Sequence, residues 1–160
     1  LTELGKLYFS AGAIEEAQNS VALALQLKPD YIPATIEQAL ILEKQDKLSE
    51  AVVLLEGAYA LYPQSDPDNL FQLGRLYFRQ KNFAKAQPIF EAIISSYPNH
   101  SDSLFLLGEI YQQKGNQAEA DEYFKHVLEL NPGNPEVLKA MRRNIPMVPA
   151  TSSKEIIKKN

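Results

Sequence analysis

Four prolines punctuate the chain at a nearly constant interval: Pro29, Pro63, Pro98 and Pro132 stand 34, 35 and 34 residues apart. Small residues keep the same step at Gly5, Ala39, Gly74 and Gly108, and again at Ala17, Ala51, Ala86 and Ala120. The single extra residue falls within Gln64–Asp66 in every series. Such a period constrains the fold more than composition does, because each unit is too short to bury its own apolar face and must stack on a neighbour. The chain of 160 residues therefore divides into units over 1–29, 30–63, 64–98 and 99–132, a cap over 133–144 and an extended or mobile tail over 145–160.

Within each unit the apolar residues follow helical spacing. Leu70, Leu73, Gly74 and Tyr77 share one helix face, the polar stretch Gln80–Asn82 interrupts them, and Ala86, Phe90 and Ile93 mark a second helix ending before Pro98. The fourth unit repeats this with Leu104, Leu107, Gly108 and Tyr111, then Ala120, Phe124 and Val127. Asp66 before Pro67 and Asn134 before Pro135 read as N-caps followed by proline in the first turn, and Asn116 with Glu119 as a capping box. Pro33 also falls in a first turn, whereas Pro88 lies inside its helix and removes a hydrogen bond there. After Pro132 the pattern restarts with Leu138 and Met141, but Arg142 stands where a small residue is required. Burying a guanidinium at a helix crossing costs several kcal/mol, so Pro135–Arg143 is expected to be a capping helix. A short final helix is expected over Lys154–Lys159. At the other end, Leu1 already lies inside the first helix with no polar cap ahead of it, and the first unit reads as truncated.

Little in the sequence suggests chemistry. There is no cysteine, which excludes disulfides, thiolate catalysis and sulfur-ligated metals. The net charge of −4 comes from 16 basic and 20 acidic residues scattered along the chain, with no basic stripe to meet nucleic acid. No apolar run approaches the roughly 20 residues of a membrane span, and no signal-like leader is visible, which favours a cytoplasmic location. His100 and Asp102 offer two ligands where a metal site needs three or four, and His126 falls on an outer helix face, so no metal or other cofactor is expected. The acidic neighbours Glu15–Glu16 and Asp121–Glu122 read as solvated helix faces. No glycine-rich phosphate loop or catalytic triad is present, and the chain is not expected to be an enzyme.

These spacings resemble the tetratricopeptide repeat, a helix–turn–helix unit of about 34 residues. The family's Leu-Gly pair appears as Leu4-Gly5, Leu73-Gly74 and Leu107-Gly108, with its aromatic three residues on as Tyr8, Tyr77 and Tyr111. Unit two departs, with Gln38-Ala39 and Leu42 at these places, and its packing is expected to be looser; Gln117 is a second departure. The resemblance implies an all-α fold, a right-handed solenoid of four helix–turn–helix repeats with a capping helix. It further implies a concave groove lined by the first helices that takes a peptide or partner domain. The matching groove positions are Lys6 and Phe9; Ile36, Leu40 and Lys44; Phe71, Arg75, Phe78 and Arg79; and Phe105, Glu109, Gln112 and Gln113. In the family such aromatics also serve as packing residues, so Phe71, Phe78 and Phe105 carry both readings. Beside Arg75 and Arg79, an aromatic surface suits a peptide with an apolar anchor and a carboxylate. The Lys/Asn clamp with which some family members hold chaperone C-termini is missing, its positions being taken by Thr2, Lys6, Glu37, Asp68 and Gln72. The expected partner is thus a protein or peptide, neither nucleic acid nor membrane, with the chain monomeric or weakly self-associating through its tail or its open N-terminal end. An assembly segment of a longer protein is the alternative. The apolar tail Ile145–Ala150 is a candidate occupant of a groove, most readily a neighbour's.

Overall fold

The computed structural model describes residues 1–61 and 66–142. Among them every regular element is a helix: α1 (Thr2–Ser10), α2 (Ile14–Leu27), α3 (Ile32–Lys44), α4 (Leu48–Leu61), α5 (Pro67–Arg79), α6 (Phe83–Ser96), α7 (Ser101–Gln113), α8 (Gln117–Leu130) and α9 (Pro135–Arg142). Each helix packs on the next in the chain, and α1 also touches α3, as α5 touches α7. This is an all-α solenoid of helix pairs closed by a single capping helix. The tail, with its expected docking segment and final helix, lies outside the described residues, as does Arg143.

Local signals place the helix ends. Asp66 accepts a hydrogen bond from the Asp68 N–H at 2.9 Å, and Asn134 accepts from the N–H groups of Glu136 and Val137, both at 3.1 Å. Asn116 occupies the N-cap of α8 but its side chain makes no capping bond, so the expected capping box does not form. Helix α6 continues through Pro88. In each pair the turn between helices contains one residue in the left-handed region, at Gly12, Asp46, Lys81 and Gly115, with φ of 78°, 62°, 59° and 78°. Glycine meets that demand without strain; Asp46 and Lys81 do not.

The small residues of the repeat explain how the two helices of a pair come together. A Cβ at Gly108 would lie 2.4 Å from a ring carbon of Phe124, and one at Gly74 2.7 Å from Phe90. Phe90, Phe124, Leu76, Leu107 and Ile110 are buried around these crossings. The cap follows the same logic in reverse: Val137 and Ala140 are buried against the fourth unit, while Arg142 stays in solvent.

Candidate functional site

Because the period is fixed, the first helices present the expected groove residues in rows, with Glu43 and Thr2 completing two of them. One row comprises Lys6, Leu40, Arg75 and Glu109, and the next Phe9, Glu43, Phe78 and Gln112. A third contains Lys44, Arg79 and Gln113, and a fourth Thr2, Ile36, Phe71 and Phe105.

The fourth row does not line an open surface. Thr2, Ile36 and Phe71 are only 8, 9 and 8 % exposed. The Phe71 ring lies against Phe90, centroids 5.6 Å apart, and His100 covers it at 5.3 Å from the start of α7. Phe105 is half-buried against Phe124. Ile36 and Phe71 are therefore corrected from groove to core residues. Their position faces the junction with the following unit, where burying an aromatic contributes more than exposing it. Phe78 is half-buried beside Phe83, at 5.5 Å.

What remains open lies between the first three units. Phe9, Leu40, Glu43, Lys44, Asp46, Arg75 and Arg79 line a pocket of ≈ 490 Å³, which brings together five of the expected residues from α1, α3 and α5. At its centre is a residue the sequence reading passed over. Glu43 accepts from Arg75 through both oxygens, at 2.7 and 2.6 Å, and from Arg79 Nη1 at 2.5 Å. Arg75 also donates Nε to Gln72 at 3.2 Å. Burial pushes the Glu43 carboxyl up, but its hydrogen bonds and charge interactions with the two guanidinium groups outweigh burial and hold it below the usual carboxylate range. The one sequence signal for this residue is the repeat register, in which Glu43 falls one period from both Phe9 and Phe78.

The pairing revises the chemistry of the site. Arg75 is committed to Glu43 and Gln72, so it is not the free carboxylate receptor its sequence position suggested. Arg79 spends one nitrogen on Glu43, its side chain being 42 % exposed, and Lys44 stands exposed at the rim. With Asp46 included, the pocket has one positive charge in excess over an apolar wall of Phe9 and Leu40. The remaining expected residues lie outside it. Lys6 pairs with Glu3 at 3.1 Å on the surface of α1. Gln112 donates to the Ala140 carbonyl at 3.2 Å and so ties α7 to the cap. Glu109 is half-buried and Gln113 exposed in the fourth unit.

His100 is largely buried, its side chain being 14 % exposed. It is the N-cap of α7: its Nδ1 accepts the Ser103 N–H at 3.2 Å, and its Nε2 lies 3.2 Å from Asp68 Oδ1.

Sequence models of the tetratricopeptide repeat match residues 1–31 and 71–135. The chain belongs to the tetratricopeptide-repeat family. No curated protein matches it significantly by sequence. Among solved structures it is similar to MamA, at 26 % identity with a TM-score of 0.68, covering 88 % of this chain and 78 % of that one. It also resembles YrrB, described as a tetratricopeptide-repeat protein with an unusual peptide-binding site, at 22 % identity and a TM-score of 0.73, covering 86 % of this chain and 71 % of that one. The Pseudomonas aeruginosa protein pilF aligns at 24 % identity and a TM-score of 0.77, covering 89 % of this chain and 68 % of that one. Like other members of the tetratricopeptide-repeat family, the chain is a protein-interaction scaffold in general character. Among the described residues no helix is long and apolar enough to cross a membrane.

Proposed function

We propose that this tetratricopeptide array binds a peptide segment of a partner protein in the pocket between α1, α3 and α5, without catalysing a reaction. The observation that carries the reading is the juxtaposition of an apolar wall, Phe9 and Leu40, with the exposed cations Lys44 and Arg79. The recognised segment has an apolar side chain to lie on Phe9 and Leu40 and an acidic group within reach of Lys44 and Arg79. The Glu43 carboxylate holds both arginines in place, so the donors a ligand meets are oriented before it arrives. An array of short peptides combining Leu or Phe with Asp or Glu tests this, comparing the wild-type chain with Leu40→Lys and Lys44→Glu. Sequence-selective binding that both substitutions weaken at least tenfold is expected. Equal binding by all three proteins would overturn the reading.

A specific feature of α1 supports the alternative of an assembly segment. Leu7 is 67 % exposed, yet its register counterparts Ile41, Leu76 and Ile110 are fully or almost fully buried at the junctions between units. At that face α1 presents the kind of surface that second helices cover elsewhere in the solenoid. If this reading holds, Leu7→Glu abolishes assembly and leaves peptide binding at the pocket unchanged.

A further inference from the structure

Helix α4 is apolar almost all round. From Ala51 to Leu61 it has one charged residue, Glu56, and that carboxylate is engaged by the Tyr77 hydroxyl and, at 3.0 Å, by Lys85. Helices of this composition are ordinarily buried on every side. Here Val53 and Leu61 stand 67 and 72 % exposed, with exposed Gly57 midway between them. Four residues in either direction from Gly57 therefore lead to an exposed branched apolar side chain on the same helix face.

Gly57 has no internal reason to be glycine. A Cβ there would meet nothing within 4 Å, whereas one at Gly74 or Gly108 would collide with a ring. Mid-helix glycine weakens a helix relative to alanine, so a glycine that no neighbour requires leaves room on the outer side of α4.

The surface beside it is indented. One crevice of ≈ 540 Å³ is lined by Gln38, Leu42, Ser49, Glu50, Val53 and Leu54, and a second of ≈ 360 Å³ shares Val53 and Leu54 and runs past Gly57 to Leu61. Short side chains of unit two line both crevices. Leu42 stands where units three and four have Tyr77 and Tyr111, and Thr35 where they have Leu70 and Leu104. Thr35, Gln38 and Leu42 lie on the side of α3 opposite Leu40, Glu43 and Lys44, so this surface is separate from the proposed peptide pocket.

We infer that α4 seats a second copy of this chain, the two α4 helices crossing antiparallel at Gly57 with each Val53 against Leu61 of the other copy. The stripe is self-complementary about Gly57, as a two-fold interface requires. Its end charge, Glu50, lies seven residues from the crossing, so the two copies of Glu50 sit at opposite ends of the pair, about 21 Å apart at helical rise, and like charges do not meet. A lipid surface fits less well, because α4 has no Lys or Arg with which to flank its apolar face. The inference does not depend on peptide binding at the pocket.

Sedimentation velocity over about 10 to 500 µM, a range suited to a small two-helix interface, tests it on the wild-type chain and on Gly57→Gln and Val53→Lys. The wild type is expected to pass from monomer to dimer as concentration rises, and both variants to remain monomeric. Gly57→Gln should also keep or raise the thermal midpoint of the monomer, which separates loss of contact from loss of fold. Circular dichroism checks helicity, and if one variant loses it the other decides. A wild type that stays monomeric throughout, whether because a foreign helix occupies the site or because nothing does, overturns the inference. So does a dimer that survives in a folded variant.

Discussion

Glu43 on α3 and Arg75 on α5 meet side on, Oε1 2.7 Å from Nη1 and Oε2 2.6 Å from Nη2, so one carboxylate joins the second unit to the third. Glu43 is 9 % and Arg75 28 % exposed in their side chains. Two parallel charge-assisted bonds in a half-buried setting gain more than a surface pair, and removing one partner leaves the other poorly solvated.

Glu43→Gln should accordingly destabilise the chain by about 2–4 kcal/mol, read as a lower urea midpoint. The same pair predicts a pH dependence. A carboxyl whose folded pKa lies below its unfolded value binds fewer protons folded than unfolded, so its contribution is present above the ordinary carboxylate range. That contribution is lost as pH falls through the depressed folded pKa of Glu43. Urea midpoints between neutral and acid pH should fall more steeply for the wild type than for Glu43→Gln. Parallel profiles would show that the pair does not contribute.

Gly108→Leu should cost about 3 kcal/mol or more, because the new side chain must displace the buried Phe124 ring. Gly115→Ala meets open space and costs only about 1 kcal/mol, through its positive φ. Equal shifts in denaturation midpoint would contradict the assignment of these glycines to crossing and turn.

Lys81 and Asp46 occupy the left-handed turn position that Gly12 and Gly115 fill in the other units. Lys81→Gly should stabilise by about 0.5–1 kcal/mol, since relief of a left-handed penalty of about 1–2 kcal/mol exceeds the added entropy of the unfolded chain. Asp46→Gly should gain less, because aspartate tolerates this conformation better. Thermal midpoints of the two single variants provide the comparison.

His100→Ala removes both the cap of α7 and the ring over Phe71. A loss of about 1–2 kcal/mol is expected. His100→Asn should recover the capping part alone, which chemical denaturation of the three proteins can resolve.

Much of the candidate site was legible in sequence, within limits set by physics. The register identified which positions share a row, because a helix fixes the faces on which residues three and four apart fall. It did not tell a row that opens to solvent from one that closes on the next unit. Ile36 and Phe71 were lost to the core for that reason, as their burial and the contact of Phe71 with His100, across the junction from α5 to α7, show. Nor did the register show that Arg75 was already paired: Glu43 lies 32 residues away, and a bidentate bond depends on ångström-scale placement of two side chains.

The helical units, their repetition, the close crossings at Gly74 and Gly108 and the cap at Arg142 can all be read from the order of residues alone. Each of these follows from local spacing, or from whether a side chain of given size and charge can enter a helix crossing. The tertiary structure decided which arginines are satisfied internally, that His100 caps a helix, and that the short side chains of unit two leave crevices beside α4. Those outcomes depend on how neighbouring units sit against each other, where a shift of about an ångström makes or breaks a hydrogen bond.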